Sequence, residues 1–169
     1  MTNADLYTDA SWVSNKRGGK CASLFVLDGE VNNEFIWIKN FSRKELVSKY
    51  KFLDNTKVVA NDLEYVSVFE STQYLLDKNV RDMNITIYTD SIQVFECFYD
   101  QCKVKLKNKE FCDVLLVNLS LLKHNNVNIE IRWIKGHAGV YGNSIADYYT
   151  RKRTGDVLKE GLLSIECLF

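Results

Sequence analysis

The spacing of apolar and polar residues changes several times along the chain, and each change marks an element. ADLYTDAS, from Ala4 to Ser11, is short and strand-like. After a loop around Asn15–Lys20, the run CASLFVL (Cys21–Leu27) predicts a second strand. Asp28-Gly29 is a hairpin signal, and EFIWIKN (Glu34–Asn40) predicts the returning strand. Three antiparallel strands are therefore expected first. Phe41–Lys57 fits either a short helix or an irregular insertion. A helix over about 62–77 follows from the spacing of Leu63, Val66, Phe69 and Leu76. ITIYTD (Ile85–Asp90) alternates as a strand and stops at an aspartate, with SIQVFECFYD expected as a short helix. Beyond a lysine run, Lys103–Lys109, come a stronger helix (Glu110–Lys123), a strand (Ile129–Lys135) and a helix over about 142–153. The chain has no proline, so glycine and asparagine punctuate it. The order predicts an α/β fold: a five-stranded mixed sheet, part antiparallel meander and part parallel, with helices on its faces.

Composition narrows this picture. A chain of 169 residues favours one domain, and 46% hydrophobic with 12% aromatic residues is globular rather than disordered. Lys+Arg and Asp+Glu both number 22, so a polyanionic partner would have to be attracted by local patches or bound metal. The five cysteines are odd in number and form no C-x-x-C pair, which favours buried, reduced thiols over a disulfide or zinc framework. The N-terminus lacks the basic-then-apolar pattern of a signal peptide, and no apolar run approaches membrane-spanning length. A soluble, cytoplasmic protein with no membrane partner is expected.

Four carboxylates stand at unusual places. Asp9 lies inside a predicted strand, where aspartate is locally unfavourable. Asp90 ends a strand, Glu64 falls in the first turn of a predicted helix, and Asp147 lies in the helix after a glycine-rich loop. Each has an ordinary reading: Asp90 as a cap before Ser91, Glu64 as an acid favoured near a helix N-terminus. The stretch IRWIKGHAGVYGNSIADYY (Ile131–Tyr149) also holds one of only two histidines, His137, ten residues before Asp147.

Together, YTDAS, NDLE, YTDS and WIKGHAG followed by GNSIAD resemble, in order, the four signature blocks of type 1 ribonuclease H. The resemblance covers roughly Leu6 to Arg153. It implies the RNase H-like fold over residues 1–153; the tail, 154–169, lies beyond the resemblance, and its apolar end LLSIECLF is expected to pack on the same domain or on a partner. It implies that Asp9, Glu64, Asp90 and Asp147 bind two Mg²⁺ ions, with Mn²⁺ as a substitute. The implied reaction cuts the RNA strand of an RNA–DNA hybrid by metal-assisted water attack, leaving 5′-phosphate and 3′-hydroxyl ends. The chemistry suits the residues, because a phosphodiester anion repels hydroxide and two hard cations held by oxygen ligands counter that repulsion.

For His137, the resemblance leaves two roles open: moving a proton, or helping product and metal leave. Asn15 and Asn61 match family positions near the substrate, and Ser91 and Asn143 sit beside the catalytic residues. The chain departs from the pattern in four places. Ile92 stands where a glutamine is common, Val59-Ala60-Asn61 offers no hydroxyl for a DNA phosphate, and the tract between Asp9 and Glu64 is long. The basic protrusion of some members is reduced to Lys103, Lys105, Lys107 and Lys109, which suit either substrate backbone or solvent. Two other functions share this architecture: a nuclease for another nucleic acid, and a weakly catalytic binding module. A monomer is expected, and the N-terminal methionine favours a free-standing chain over one excised from a polyprotein.

Overall fold

A computed structural model describes residues 1–13, 18–29, 34–53, 58–100, 104, 108–151 and 163–164. The expected meander is present as β1 (Thr2–Val13), β2 (Gly18–Leu27) and β3 (Glu34–Ser42), paired antiparallel with Asp9 opposite Ala22 and Ala22 opposite Ile38. β4 (Met83–Thr89) runs parallel to β1, and β5 (Val127–Trp133) runs parallel to β4. A two-residue strand that the sequence did not announce, β6 (Leu163–Ser164), adds parallel to β3. The sheet order is β5-β4-β1-β2-β3-β6. At the first turn, Asp28 and Gly29 both take positive φ, the left-handed conformation their residue types tolerate.

Both faces of the sheet are covered where β1 and β2 run. β2 is buried along almost its whole length, which is why it reads as a continuous apolar run. Cys21 and Phe25 join the larger core, under α2 (Ala60–Asp77), α3 (Ile92–Tyr99) and α4 (Lys109–His124). Ala22, Leu24 and Val26 point the other way, against Tyr149 of α5 (Tyr141–Arg151). The core is closed by aromatic contacts around Phe111, which stacks on Tyr65 at 5.0 Å and meets Phe52 edge-on at 4.8 Å. Cys21, Cys97 and Cys112 are buried free thiols, as expected, while Cys102 and Cys167 lie outside the described residues. Among the described residues, no helix is long and apolar enough to cross a membrane.

α2 departs from its predicted form in two respects. It begins at Ala60, because the Asp62 carboxylate accepts the Val59 N–H at 2.9 Å and organises the first turn. Glu64 therefore stands in the second turn, not the first. The helix is also buried on more than the expected stripe, since it lies between the sheet and α4. Its buried hydroxyls are satisfied: Ser67 donates to the Asp9 carbonyl at 3.1 Å, and Ser71 lies 2.8 Å from Ser23.

The ambiguous tract after β3 is a helix, α1 (Arg43–Lys49), started by a capping box between Ser42 and Glu45. It is tied down by Glu70 of α2, a buried carboxylate that accepts from Tyr50 Oη at 2.6 Å, from Lys39 at 3.0 Å and from Lys49. Burial pushes the Glu70 carboxyl up, but the Lys49 ammonium, the Tyr50 hydroxyl and the Lys39 ammonium outweigh it and hold the group below its ordinary value.

Candidate active site

The topology opens a cleft at one point of the sheet. Pairing between β1 and β4 ends at Tyr7 opposite Tyr88, yet β1 continues to Val13 while β4 stops at Thr89. The carboxyl ends of two parallel neighbours thus part beside a third strand that runs antiparallel. Ligands of open α/β sheets bind at this kind of switch point. Asp9 lies two residues past the last β1–β4 pair, and Asp90 directly follows β4.

Four elements deliver carboxylates to the cleft. Oxygens of Asp9, Glu64 and Asp90 lie within 4.8 Å of one another. Asp147 arrives on α5, near enough for its charge to act on Asp9 and Asp90. Asp9 is itself nearly out of solvent, and its strand is braced by the Ser67 bond and by Thr8, whose hydroxyl donates to the Tyr88 carbonyl at 3.3 Å. Burial, then the Asp90 and Asp147 charges, push the Asp9 carboxyl up to about 8, against the opposing Ala10 N–H. Glu64 is raised well above its ordinary value by burial, by Asp9 and by Asp90. Its Oε2 is out of solvent and has no hydrogen-bond partner. Asp90 is raised by burial and by Asp147, with His137 and a hydrogen bond from Asn143 working the other way.

The ordinary reading of Asp90 as a helix cap is not what the structure shows. Ser91 caps α3, its Oγ accepting the Val94 N–H at 3.3 Å. Ser91 Oγ also donates to Asn61 Oδ1 at 3.3 Å, which leaves the Asn61 Nδ2 buried without a partner. Asn143 is buried, and its Oδ1 likewise lacks one. His137 is exposed in the β5–α5 loop, with φ 55°, near enough for its charge to act on Asp90. Asn15, Lys103, Lys105 and Lys107 lie outside the described residues, and Lys109 opens α4.

Three supporting contacts were not legible in the sequence. Trp133 Nε1 donates to the Asp90 carbonyl at 3.2 Å, fixing the residue from β5. Gly136 passes so close that a Cβ there would sit 3.0 Å from Asp90 Oδ2. A Cβ on Gly142 would sit 2.3 Å from the Tyr7 ring, so this glycine lets α5 approach β1 and bring Asp147 to Asp9. The WIKGHAG and GNSIAD blocks carry these residues, but only the long-range packing reveals their task.

The RNase H family model matches residues 1–154, and the chain belongs to the RNase H family, as the four blocks suggested. Among solved structures, the chain is similar to LC9-RNase H1, described as a type 1 RNase H with the type 2 active-site motif. The two superpose with a TM-score of 0.61 at 17% identity, over 87% of this chain and 69% of that one, a likeness of fold. No curated protein matches the chain.

Proposed function

We propose that the protein is a metal-dependent endoribonuclease that cuts the RNA strand of RNA–DNA hybrids. The observation that carries this reading is the convergence of Asp9, Glu64, Asp90 and Asp147 at the switch point, in a chain of the RNase H family. The donor set fits hard divalent cations. It offers carboxylate oxygens only, Glu64 Oε2 is buried without a partner, and Asp9, Glu64 and Asp90 are each raised by burial and then by neighbouring carboxylates. Asp9, Glu64, Asp90 and Asp147 would hold two Mg²⁺ ions, or Mn²⁺ in their place. Such a pair supplies activation of the attacking water and charge stabilisation at the departing 3′-oxygen.

The chain's own groups complete the site. Asn143 orients the Asp90 carboxylate, and Trp133 holds its backbone. His137, exposed beside Asp90, moves a proton at its imidazole or eases product and metal out. The unpartnered Nδ2 of Asn61, positioned by Ser91, is a donor for a substrate oxygen, and a 2′-hydroxyl would distinguish RNA from DNA. The products would be 5′-phosphate and 3′-hydroxyl ends. One chain supplies every carboxylate, so a monomer suffices. Leu163 and Ser164 pair with the β3 edge, which supports a tail that packs on the same domain.

The test offers end-labelled RNA–DNA hybrid, double-stranded RNA and double-stranded DNA, each with Mg²⁺, Mn²⁺ or EDTA. Cutting of the hybrid alone, abolished by EDTA, is expected. Cutting of DNA would move the protein to another nuclease class. Binding of hybrid without cutting would leave a nucleic-acid-binding module.

A further inference from the structure

Resting on the ribonuclease reading above, we propose that α1 forms a phosphate-binding surface that extends the nucleic-acid track beyond the acidic cleft. The observation is a cavity of about 720 Å³ lined by Arg43, Lys44, Lys51, Ser42 and Ser48. The rest of its described lining is apolar and includes no carboxylate. Three cations and two hydroxyls, with no acid among the described lining residues, are the donor set that phosphate oxygens want. The neighbouring lysines differ: Lys39 and Lys49 are engaged by Glu70. Glu45, the carboxylate of the helix, accepts the Ser42 N–H at 2.7 Å.

Arg43 joins this surface to the cleft. Its guanidinium lies over the Trp12 ring, 5.7 Å from the centroid, and its Nε is buried without a hydrogen-bond partner. Stacking on an indole fixes the guanidinium plane and leaves the remaining N–H groups for a planar acceptor. Trp12 stands on β1 three residues past Asp9 and on the opposite face of the strand, where it flanks Gly19 together with Leu63, the residue before Glu64. Arg43 therefore lies beside the start of α2, the helix that carries Glu64 to the cleft. A chain of net charge zero needs such a local concentration of cations to hold a polyanion. Glu70 serves this end by pinning α1, and with it the cations, against the body.

The experiment compares two triple variants of the full chain. The first, Arg43→Gln/Lys44→Gln/Lys51→Gln, removes the surface. The second, Lys78→Gln/Arg81→Gln/Lys123→Gln, removes equal charge at the far end of the sheet. Steady-state cleavage of labelled hybrid is measured across a salt series. For the first variant, KM should rise about tenfold at moderate salt, kcat should stay at the wild-type value, and the slope of log KM against log salt should fall by about 2–3. The second should resemble wild type. Unchanged KM and slope in the first variant, or equal changes in both, would overturn the proposal. Should the triple variant misfold by circular dichroism, Lys44→Gln and Lys51→Gln singly, both at exposed positions, should each lower the slope by about one, and an unmoved slope overturns the proposal equally. A wild-type chain that leaves hybrid uncut overturns the ribonuclease reading itself. One that cuts hybrid with no dependence on α1 overturns only the present inference.

Discussion

Replacing Asp9 with Asn should stabilise the metal-free protein while abolishing cleavage. Burial first, and then the Asp90 and Asp147 charges, lift the Asp9 carboxyl from an ordinary 3.8 to about 8. A carboxyl raised on folding favours the folded state fully below the unfolded value. That advantage is lost as pH climbs, because the unfolded chain ionises while the folded one resists, until the folded value is passed. The wild type in EDTA should therefore lose stability from about pH 4 to about pH 8. At about 1.36 kcal/mol per pKa unit, the span bounds the loss at roughly 5–6 kcal/mol. Water entering the open cleft reduces it, and a gain of about 2 kcal/mol for Asp9→Asn at pH 8 is expected. The difference should vanish near pH 4, where neither state carries the charge. Urea unfolding in EDTA across this range measures it, and adding Mg²⁺ should reverse the order of stability. A variant no more stable than wild type at pH 8, with a pH-independent gap, would refute the crowding of charge at this site.

Three further outcomes are expected. Glu70→Ala should cost about 2–3 kcal/mol in urea unfolding, less than a fully buried pair, because Lys39 and Lys49 are 42% and 43% exposed and can return to water. Glu70 is held below its ordinary value of 4.5, so its stabilisation is complete above that pH and disappears as pH falls through the lowered value. The variant should accordingly show a shallower loss of stability in acid. Gly142→Ala should lower stability by about 2–3 kcal/mol in thermal melts, since Tyr7 is stacked on Tyr88 at 4.5 Å and has little room to yield. His137→Ala should reduce turnover substantially and leave measurable cleavage, with little change in melting temperature. A wild-type rate constant would remove His137 from the mechanism.

The fold was largely legible because its elements announce themselves locally. β4 alternates and stops at Asp90, and the apolar run of β2 declares burial on both faces. The four carboxylates were legible through their blocks, and their convergence is what topology added. Other features have no local signature. By sequence, Glu70 resembles any solvent-facing acid on a helix, and its partners lie far away on β3 and at the end of α1. α2 offers only a partial apolar stripe, because serines and a threonine fill buried positions where distant groups satisfy their hydroxyls. The start of α2 shifted by two residues because Asp62 reaches back to Val59, a cap made from inside the helix.

This division follows from how the site is held together. Residues that would meet metal and substrate are set by chemistry, so their types and order persist as recognisable blocks. Residues that hold them in place are set by packing, and packing accepts many solutions. Four mutually repelling acids do not stay together by local preference, and three of them are held by identifiable contacts. Asp9 is braced by Ser67, with Thr8 tying its strand to β4, while Asp90 is held by Trp133 and Asn143. Asp147 reaches Asp9 because Gly142 lets α5 close on Tyr7. These braces come from both faces of the sheet and from four elements, α2, β1, β5 and α5, so the cleft is over-determined by the fold. That is the condition under which stored electrostatic strain persists and becomes available to a cation.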